Sequence, residues 1–218
     1  NGRWATKRHL PKAFGHREGA RAVDRITEAS RALGIQALTL YALSTENWKR
    51  PKRELDALIE LLYEYLEKEY KKLQKNNIRL NAIGGLDKFP PKVRDRLADI
   101  MQKTSGNDGM VLTLALNYGG RQEIRDAARA LSLEAKEGTV APQDITEELF
   151  EKFLYTKGLP EVDLLIRTSG EMRVSNFLLW QISYAEIYVT PKLWPDFGPR
   201  DLEQAVLDYQ SRERRYGG

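Results

Sequence analysis

The sequence predicts an α/β fold with an open, mostly parallel central sheet and helices on both faces. Short apolar runs alternate with longer segments of helical periodicity along the 218 residues. The run "ALTLYAL" (37–43) is almost continuously apolar, which is typical of a strand buried on both faces. Polar, glycine-containing segments follow several of the predicted strands, as expected where the strands of such a sheet end at a ligand site.

The order of the predicted elements follows from these patterns. The predicted strands are 37–43, 78–83, 110–116, 162–166 and 185–190. The predicted helices are 18–33, 52–75, 91–103, 121–136, 146–155 and about 199–214, and the run "NFLLWQI" (176–182) is helical or mixed. The helix over 52–75 carries a leucine-rich stripe between residues 55 and 66, and Pro90-Pro91 opens the helix that follows.

Composition limits the classes of protein that fit. A hydrophobic content of 41% in this length suits one domain with one core, which we assign to residues 1–218. The net charge of +4 tolerates anionic ligands but does not indicate nucleic acid binding. Absence of Cys excludes disulfides and thiolate metal sites and is compatible with a reducing cytoplasm. No apolar stretch approaches the roughly 18 residues that a membrane span needs.

Three polar segments that directly follow predicted strands, here called strand exits, are predicted to meet at one edge of the sheet. The segments are "STENWKRP" (44–51), "NYGGR" (117–121) and "RTSGEMRVS" (167–175). The opening "NGRWA" (1–5) would fit a fourth exit if another strand preceded it. We therefore expect that a first strand is missing from this sequence and that Asn1 is not the natural start.

Cationic side chains in these exits predict phosphate binding. Arg167 and Arg173 provide guanidinium forks for bidentate contact with phosphate oxygens, and Ser175 adds a hydroxyl donor. Gly2 would let backbone N–H groups approach an anion, with further cations nearby in sequence at positions 3, 12 and 16. The two clusters predict two phosphorylated substrates or one extended substrate. The sequence contains neither GxxxxGK[ST] nor GxGxxG.

Each of these features has a plainer structural interpretation. An exposed arginine is usually a solvated salt-bridge partner. Glu186, within the apolar strand "AEIYVT", fits an internal salt bridge or a metal site about equally well. His9 and His16 lack the spacing and the further ligands of a metal site. The leucine stripe of 55–66 is first of all a core face, and only then a wall of a ligand tunnel.

Taken together, these residues resemble the cis-prenyltransferases, and among them the bacterial undecaprenyl diphosphate synthases. The matching stretches span nearly the whole chain in the order of the family: "NGRWA", "FGH", "LTLYALSTENWKRP", "NYGGR", "VDLLIRTSGEMRVSNFLLWQ", "YAEIYVT", "LWPDF" and "RERRYGG". The resemblance implies repeated condensation of an allylic diphosphate, such as farnesyl diphosphate, with isopentenyl diphosphate to give cis double bonds and a long polyprenyl diphosphate.

The resemblance also implies roles for individual residues. Asn47 would assist proton removal, and Glu186 would contribute to binding Mg²⁺, the expected cofactor. The implied substrate-binding residues are Asn1, Gly2, Arg3, Trp4, Lys12, His16, Ser44, Thr45, Glu46, Trp48, Arg50, Glu54, Arg167, Arg173, Val174 and Ser175. Residues 44–50 would lie on a mobile loop over the site, and Glu54 would fix that loop to its helix.

Three departures from the family pattern bear on these expectations. The family has Asp-Gly before "NGRWA", and that Asp is its central metal-associated residue, so the chain as given is expected to be impaired. Lys12 stands where the family usually has Arg, which replaces a fork with a point charge. Met172 stands where some members carry His beside the metal.

Other expectations concern partners and location. A homodimer is implied by the family, with 176–182 as a candidate interface and Arg215 and Gly217 near the partner's isopentenyl site. The lipid product predicts transient contact with the inner face of a membrane by a protein that is otherwise cytoplasmic. The alternative functions are a non-catalytic partner subunit, which would have lost the cationic residues, and a nucleic-acid-binding module, which would carry its cations and aromatics along one surface.

Overall fold

A computed structural model describes residues 1–212. Its helices are α1 (Gly2–Lys7), α2 (Lys12–Ala32), α3 (Lys52–Lys75), α4 (Pro91–Lys103), α5 (Gly120–Glu137), α6 (Glu147–Glu151) and α7 (Pro199–Gln210). Its strands are β1 (Ala37–Ser44), β2 (Ile78–Ile83), β3 (Met110–Tyr118), β4 (Leu164–Arg167) and β5 (Glu186–Val189). Short 3₁₀ helices lie at Thr45–Lys49, Leu86–Lys88, Pro142–Asp144 and Trp194–Asp196.

The strands confirm the predicted α/β class and its parallel pairing. β1, β3 and β2 pair in that order, and β4 pairs with β5, all in parallel. Within the described residues the strands pair as a three-stranded and a two-stranded sheet. As a result β1 is an edge strand and is only half-buried, whereas β3 is the strand enclosed on both faces.

Side-chain alternation along β3 explains the two main parts of the core. Leu112, Leu114 and Leu116 belong to a cluster that includes apolar residues of α3 and α4. Ala115 points to the opposite face, where it joins a second cluster that contains Phe177 and Leu178. The sheet therefore separates a helical layer from a layer built by the irregular segment after β4.

Helix α3 combines an apolar stripe with an ionic link to α2. Ile59 and Leu66 of the predicted stripe are buried in the core. On a neighbouring face, Nζ of Lys72 lies 2.7 Å from Asp24 of α2 and 3.2 Å from Glu69, whose carboxyl is almost fully buried. Burial and the nearby Asp24 raise the pKa of Glu69.

Two compensating irregularities interrupt the β1–β3 pairing near the ends of the strands. Tyr41 and Leu43 pair with the consecutive residues Ala115 and Leu116, so Ala42 bulges out of β1. The pairing then skips Asn117 of β3, which has a positive φ of 47°. The bulge changes which face Leu43 occupies, because Leu43 joins the core cluster of Leu114 whereas Tyr41 packs against the cluster of Phe177.

Two predicted helices differ from the structure for local reasons. The helix expected over 146–155 ends at Glu151, and the backbone N–H of Tyr155 instead donates to the buried carboxylate of Glu123 at 2.8 Å. The run 176–182 forms turns, because Asn176 and Leu178 have positive φ values of 62° and 45°. These conformations are incompatible with a continuous helix or strand.

Candidate functional site

A cavity of about 2040 Å³ opens between β1 and β4 and is lined by residues of two predicted segments, 44–51 and 167–175, whereas the third segment, 117–121, does not line it. The predicted site residues that line it are Asn1, Gly2, His16, Ser44, Asn47, Arg50, Arg167, Arg173, Val174 and Ser175. The other predicted site residues lie beside it or elsewhere: Arg3, Trp4, Lys12, Thr45, Glu46, Trp48, Glu54 and Glu186. Leucines 58, 61 and 62 of α3 give the cavity an apolar wall.

Two buried glycines of α2 allow the amino-terminal segment to pack against that helix. A Cβ on Gly15 would lie 2.2 Å from the backbone oxygen of Asn1. A Cβ on Gly19, one turn later, would lie 2.2 Å from Nδ2 of the same asparagine. Because a side chain at position 15 would meet the backbone of Asn1, the glycine there allows Asn1 and Gly2 to lie at the cavity.

The carboxylate of Glu54 lies among three basic side chains on the amino-terminal side of the cavity. It pairs with the guanidinium of Arg50 and lies 3.5 Å from Nζ of Lys12 and 3.8 Å from Nε2 of His16. Burial acts to raise the pKa of Glu54, but the hydrogen bond and charge of Arg50 outweigh it and lower the pKa. We call Lys12, His16, Arg50 and Glu54 the amino-terminal cluster.

His16 sits among positive charges in this cluster. Its imidazole is largely buried, and burial, followed by nearby positive charges including Arg50, lowers its pKa below the usual value of 6.5. His16 is therefore neutral at pH 7, and its Nε2 is buried without a hydrogen-bond partner among the described residues. A neutral imidazole of this kind can donate to or accept from a ligand in the cavity.

The 3₁₀ turn after β1 positions Asn47. The backbone N–H of Ser44 donates to Oδ1 of Asn47 at 2.9 Å, and the Ser44 side chain caps the same turn. The hydroxyl of Thr45 is buried beside Gly119. Trp48 packs edge-on against Phe89, with ring centroids 5.5 Å apart, so it supports the turn from the core side.

On the opposite side of the cavity, Glu171 brings two arginines together. Nη1 of Arg3 lies 2.7 Å from one oxygen of Glu171, and Nη1 of Arg173 lies 2.5 Å from the other. Nη2 of Arg167 donates to Oγ of Ser175 at 3.4 Å, while its Nε is buried without a partner among the described atoms. We call these five residues the arginine cluster.

Burial and like charge make the arginine cluster receptive to an anion. Burial, followed by the positive charge of Arg173, lowers the pKa of Arg167. Burial acts to raise the pKa of Glu171, but the charges of Arg173 and Arg3 lower it, so the carboxylate stays ionised. A phosphate could replace the carboxylate as the partner of both exposed guanidinium groups.

Trp4 and Glu186 are not brought to the cavity. The indole N–H of Trp4 donates to Asp196 at 2.7 Å, and the guanidinium of Arg8 stacks on its ring. Glu186 is paired with Arg212 at 2.6 Å. It begins β5 opposite Leu164, at the far end of the strand pair from Arg167 and about 10 Å away for three residues of strand.

The structure adds residues to the site that the sequence argument did not select. Glu171 could have been found from its place between Arg167 and Arg173 in one loop. No pattern in the neighbouring sequence indicates the contact of Gly15 and Gly19 with Asn1. The same is true of the hydrogen bonds of Asn176. Met172 is 89% exposed. Arg215 and Gly217, which were predicted to lie near the partner's isopentenyl site, are outside the described residues.

Comparisons with known proteins agree with this geometry. The family model described as "Putative undecaprenyl diphosphate synthase" matches residues 1–217. An isoprenyl transferase of Heliobacterium mobile is 50% identical over 218 residues, which is 100% of this chain and 84% of that protein. The farnesyl-diphosphate-specific ditrans,polycis-undecaprenyl-diphosphate synthase of Vibrio parahaemolyticus is 47% identical over 217 residues, covering 100% of this chain and 86% of that protein.

A solved structure shows the same fold. The crystal structure of lavandulyl diphosphate synthase from Lavandula x intermedia, in complex with dimethylallyl diphosphate, matches with a TM-score of 0.96 and 38% sequence identity. The match covers 99% of this chain and 93% of that chain. With the cavity, the two cationic clusters and a family match along nearly the full length, the chain belongs to the undecaprenyl diphosphate synthase family.

Proposed function

We propose that this transferase adds successive isopentenyl diphosphate units to an allylic diphosphate, with farnesyl diphosphate as the starter, and forms a long cis-polyprenyl diphosphate such as undecaprenyl diphosphate. The observation that carries the proposal is the pair of cationic clusters on one cavity with an apolar wall. The farnesyl specificity named for the Vibrio relative and the dimethylallyl diphosphate bound to the Lavandula enzyme support the choice of substrates.

In this proposal the two clusters bind different substrates. The amino-terminal cluster and the adjacent backbone of Gly2 hold the allylic diphosphate, where fixed cations meet the charge that develops as the C–O bond breaks. Arg167, Arg173 and Ser175 hold isopentenyl diphosphate. Arg3, through its contact with Glu171, lies at the boundary between the two groups.

Asn47 and the leucine wall supply the remaining functions. Oδ1 of Asn47 accepts from the backbone of Ser44, which leaves its Nδ2 group to face a diphosphate oxygen near the proton that is removed. The apolar wall of Leu58, Leu61 and Leu62 receives the growing isoprenoid and keeps water from the allylic cation.

Mg²⁺ stays a prediction, because the described residues do not build a metal site by themselves. No group of three His, Cys, Asp or Glu side chains among residues 1–212 could hold a metal ion. Glu186 is ion-paired with Arg212 and is remote from Arg167 in the same chain. Any Mg²⁺ would depend on diphosphate oxygens of the substrate for much of its coordination.

The proposal includes a homodimer and a cytoplasmic enzyme that contacts the membrane surface for product release. Phe177 and Leu178 of the run 176–182 are buried in the core, so these two side chains are not available to the predicted interface. Ile187 and Val189 of the edge strand β5 are exposed apolar residues and form a better candidate. None of the helices in the described part of the chain is long and apolar enough to cross a membrane.

The test is incorporation of labelled isopentenyl diphosphate into extractable lipid, with farnesyl diphosphate and either Mg²⁺ or EDTA, by the full-length protein, defined here as the chain extended by the strand and Asp-Gly that the family has before "NGRWA". R173A should raise the KM for isopentenyl diphosphate about tenfold or more, because a bidentate phosphate contact is lost. The matched control is R129A, which removes an exposed arginine of α5 outside the cavity. Absence of incorporation by the unmodified protein would contradict the proposal and favour the non-catalytic partner subunit.

A further inference from the structure

Asn176 connects the exits of three strands. Its Nδ2 donates to Glu46, in the turn after β1, at 3.1 Å, and to Oε1 of Gln122, in the first turn of α5 after β3, also at 3.1 Å. Its Oδ1 accepts from the backbone N–H of Arg121 at 2.9 Å, and its backbone oxygen accepts from Gly120 at 2.7 Å. Asn176 itself follows β4, so one residue joins all three segments. We call this group the strand-exit junction.

The surroundings favour asparagine at this position. A φ of 62° places Asn176 in the left-handed region, which asparagine tolerates better than most residues. A Cβ on Gly119 would lie 2.3 Å from Oε1 of Gln122 and 2.5 Å from Nδ2 of Asn176, so only glycine leaves room for the junction. Aspartate has the same shape but would place a second carboxylate against Glu46 and lose both donated hydrogen bonds.

The neighbours of the junction belong to the two substrate-binding sides of the cavity. Glu46 immediately precedes Asn47, and Ser175 immediately precedes Asn176. Asn47 and Arg50 lie on the turn after β1, whereas Arg167, Arg173 and Ser175 lie at the end of β4 or in the segment after it. The junction therefore fixes the position of one segment relative to the other without itself lining the cavity.

We propose that Asn176 is a positioning residue that holds the allylic and isopentenyl halves of the site at the distance required for condensation. This inference rests on the proposed function. Each half keeps its own cations when Asn176 changes, so substrate binding should persist while the reacting carbons are misaligned. Displacements of about 1 Å are enough to reduce a rate by about 10²-fold.

The experiment compares N176D with the unmodified full-length enzyme in the incorporation assay. N176D should reduce kcat by about 10²-fold and change the KM for either diphosphate by less than about threefold. The matched control is N107D, because Asn107 also donates one side-chain hydrogen bond, to the backbone of Ile78 at 2.8 Å, at the opposite end of the sheet. N107D should keep the kcat of the unmodified enzyme.

A second variant separates positioning from simple destabilisation. In E46Q/N176D the glutamine can donate to the new carboxylate, and Gln122 can turn its amide to do the same, so the junction is rebuilt with reversed polarity. The double variant should recover at least about tenfold in kcat over N176D. The inference would be overturned by a kcat of N176D equal to that of the unmodified enzyme. It would also be overturned if the loss of kcat in E46Q/N176D equalled the product of the losses in E46Q and N176D measured separately. Inactivity of the unmodified enzyme would instead contradict the proposed function.

Discussion

At the scale of single residues, one carboxylate compensates the basic side chains in each of the two clusters. Glu54 compensates Arg50, Lys12 and His16, and Glu171 compensates Arg3 and Arg173. Without these partners, like charges on each side of the cavity would repel one another and the segments that carry them. The two carboxylates thus keep both groups of basic side chains close to the cavity, as the proposed binding of two diphosphates requires.

His16 gives a prediction about pH. Its folded-state pKa lies below the unfolded value of 6.5, so the stability that it provides is present above pH 6.5 and is lost as the pH falls. Urea unfolding between pH 7.5 and about 5 should show a smaller loss of stability in H16Q than in the unmodified protein. Equal slopes for the two proteins would show that burial of neutral His16 does not contribute.

At the scale of elements, sequence periodicity predicted the correct bounds of those helices and strands that pack through one regular face. The bounds of α3, β2 and α4 agree with the predicted 52–75, 78–83 and 91–103. Periodicity failed where a distant polar group decides the conformation. Glu123 ends the helix predicted over 146–155 by binding the backbone of Tyr155.

The site shows the same limit. The loops and their cations could be predicted, because parallel strands release their carboxyl ends at one edge. The ion pair of Arg3 with Glu171 joins residues that are 168 positions apart in the sequence. Glu186 was predicted to lie at the site, but it begins β5 and therefore lies at the other end of the strand pair from Arg167. Neither follows from local sequence, since both depend on how separate segments meet in the folded chain.

The glycines of α2 give a prediction at this scale. Replacing a helical glycine by alanine normally adds about 1 kcal/mol of stability. In G15A the new Cβ would meet the backbone oxygen of Asn1 at 2.2 Å, and relief of such overpacking costs about 1–3 kcal/mol. We expect a lower melting temperature and a roughly tenfold loss in kcat/KM, because Asn1 and Gly2 move at the cavity.

The control for this prediction is G106A, since a Cβ on Gly106 would meet nothing within 4 Å. It should melt within a few degrees of the unmodified protein, as expected for a surface change of about 0.5 kcal/mol or less. An unchanged melting temperature and activity in G15A would contradict the argument that close packing of the amino-terminal segment requires glycine.

At the scale of the whole molecule, the exposed face of β5 is the predicted contact surface of the proposed homodimer. Ile187 is 46% exposed and Val189 is 37% exposed on an edge strand, which is an arrangement that favours association. I187E should convert a dimer to a monomer in light-scattering measurements at micromolar concentration. L133E is the control, because Leu133 is 55% exposed on α5. A dimer that persists in I187E would exclude this face as the interface.

The bulge at Ala42 has a mechanical consequence for the molecule. Ala42 takes no part in the strand register, but Leu43 and Ser44 pair with β3 again directly after it. The turn that carries Asn47 and Arg50 therefore begins at residues that are themselves paired with the central strand, and the three-stranded sheet supports this side of the cavity. A force on this side of the cavity, such as a lipid pressing against it, is then carried by the backbone pairing of β1 with β3 and not by the turn alone.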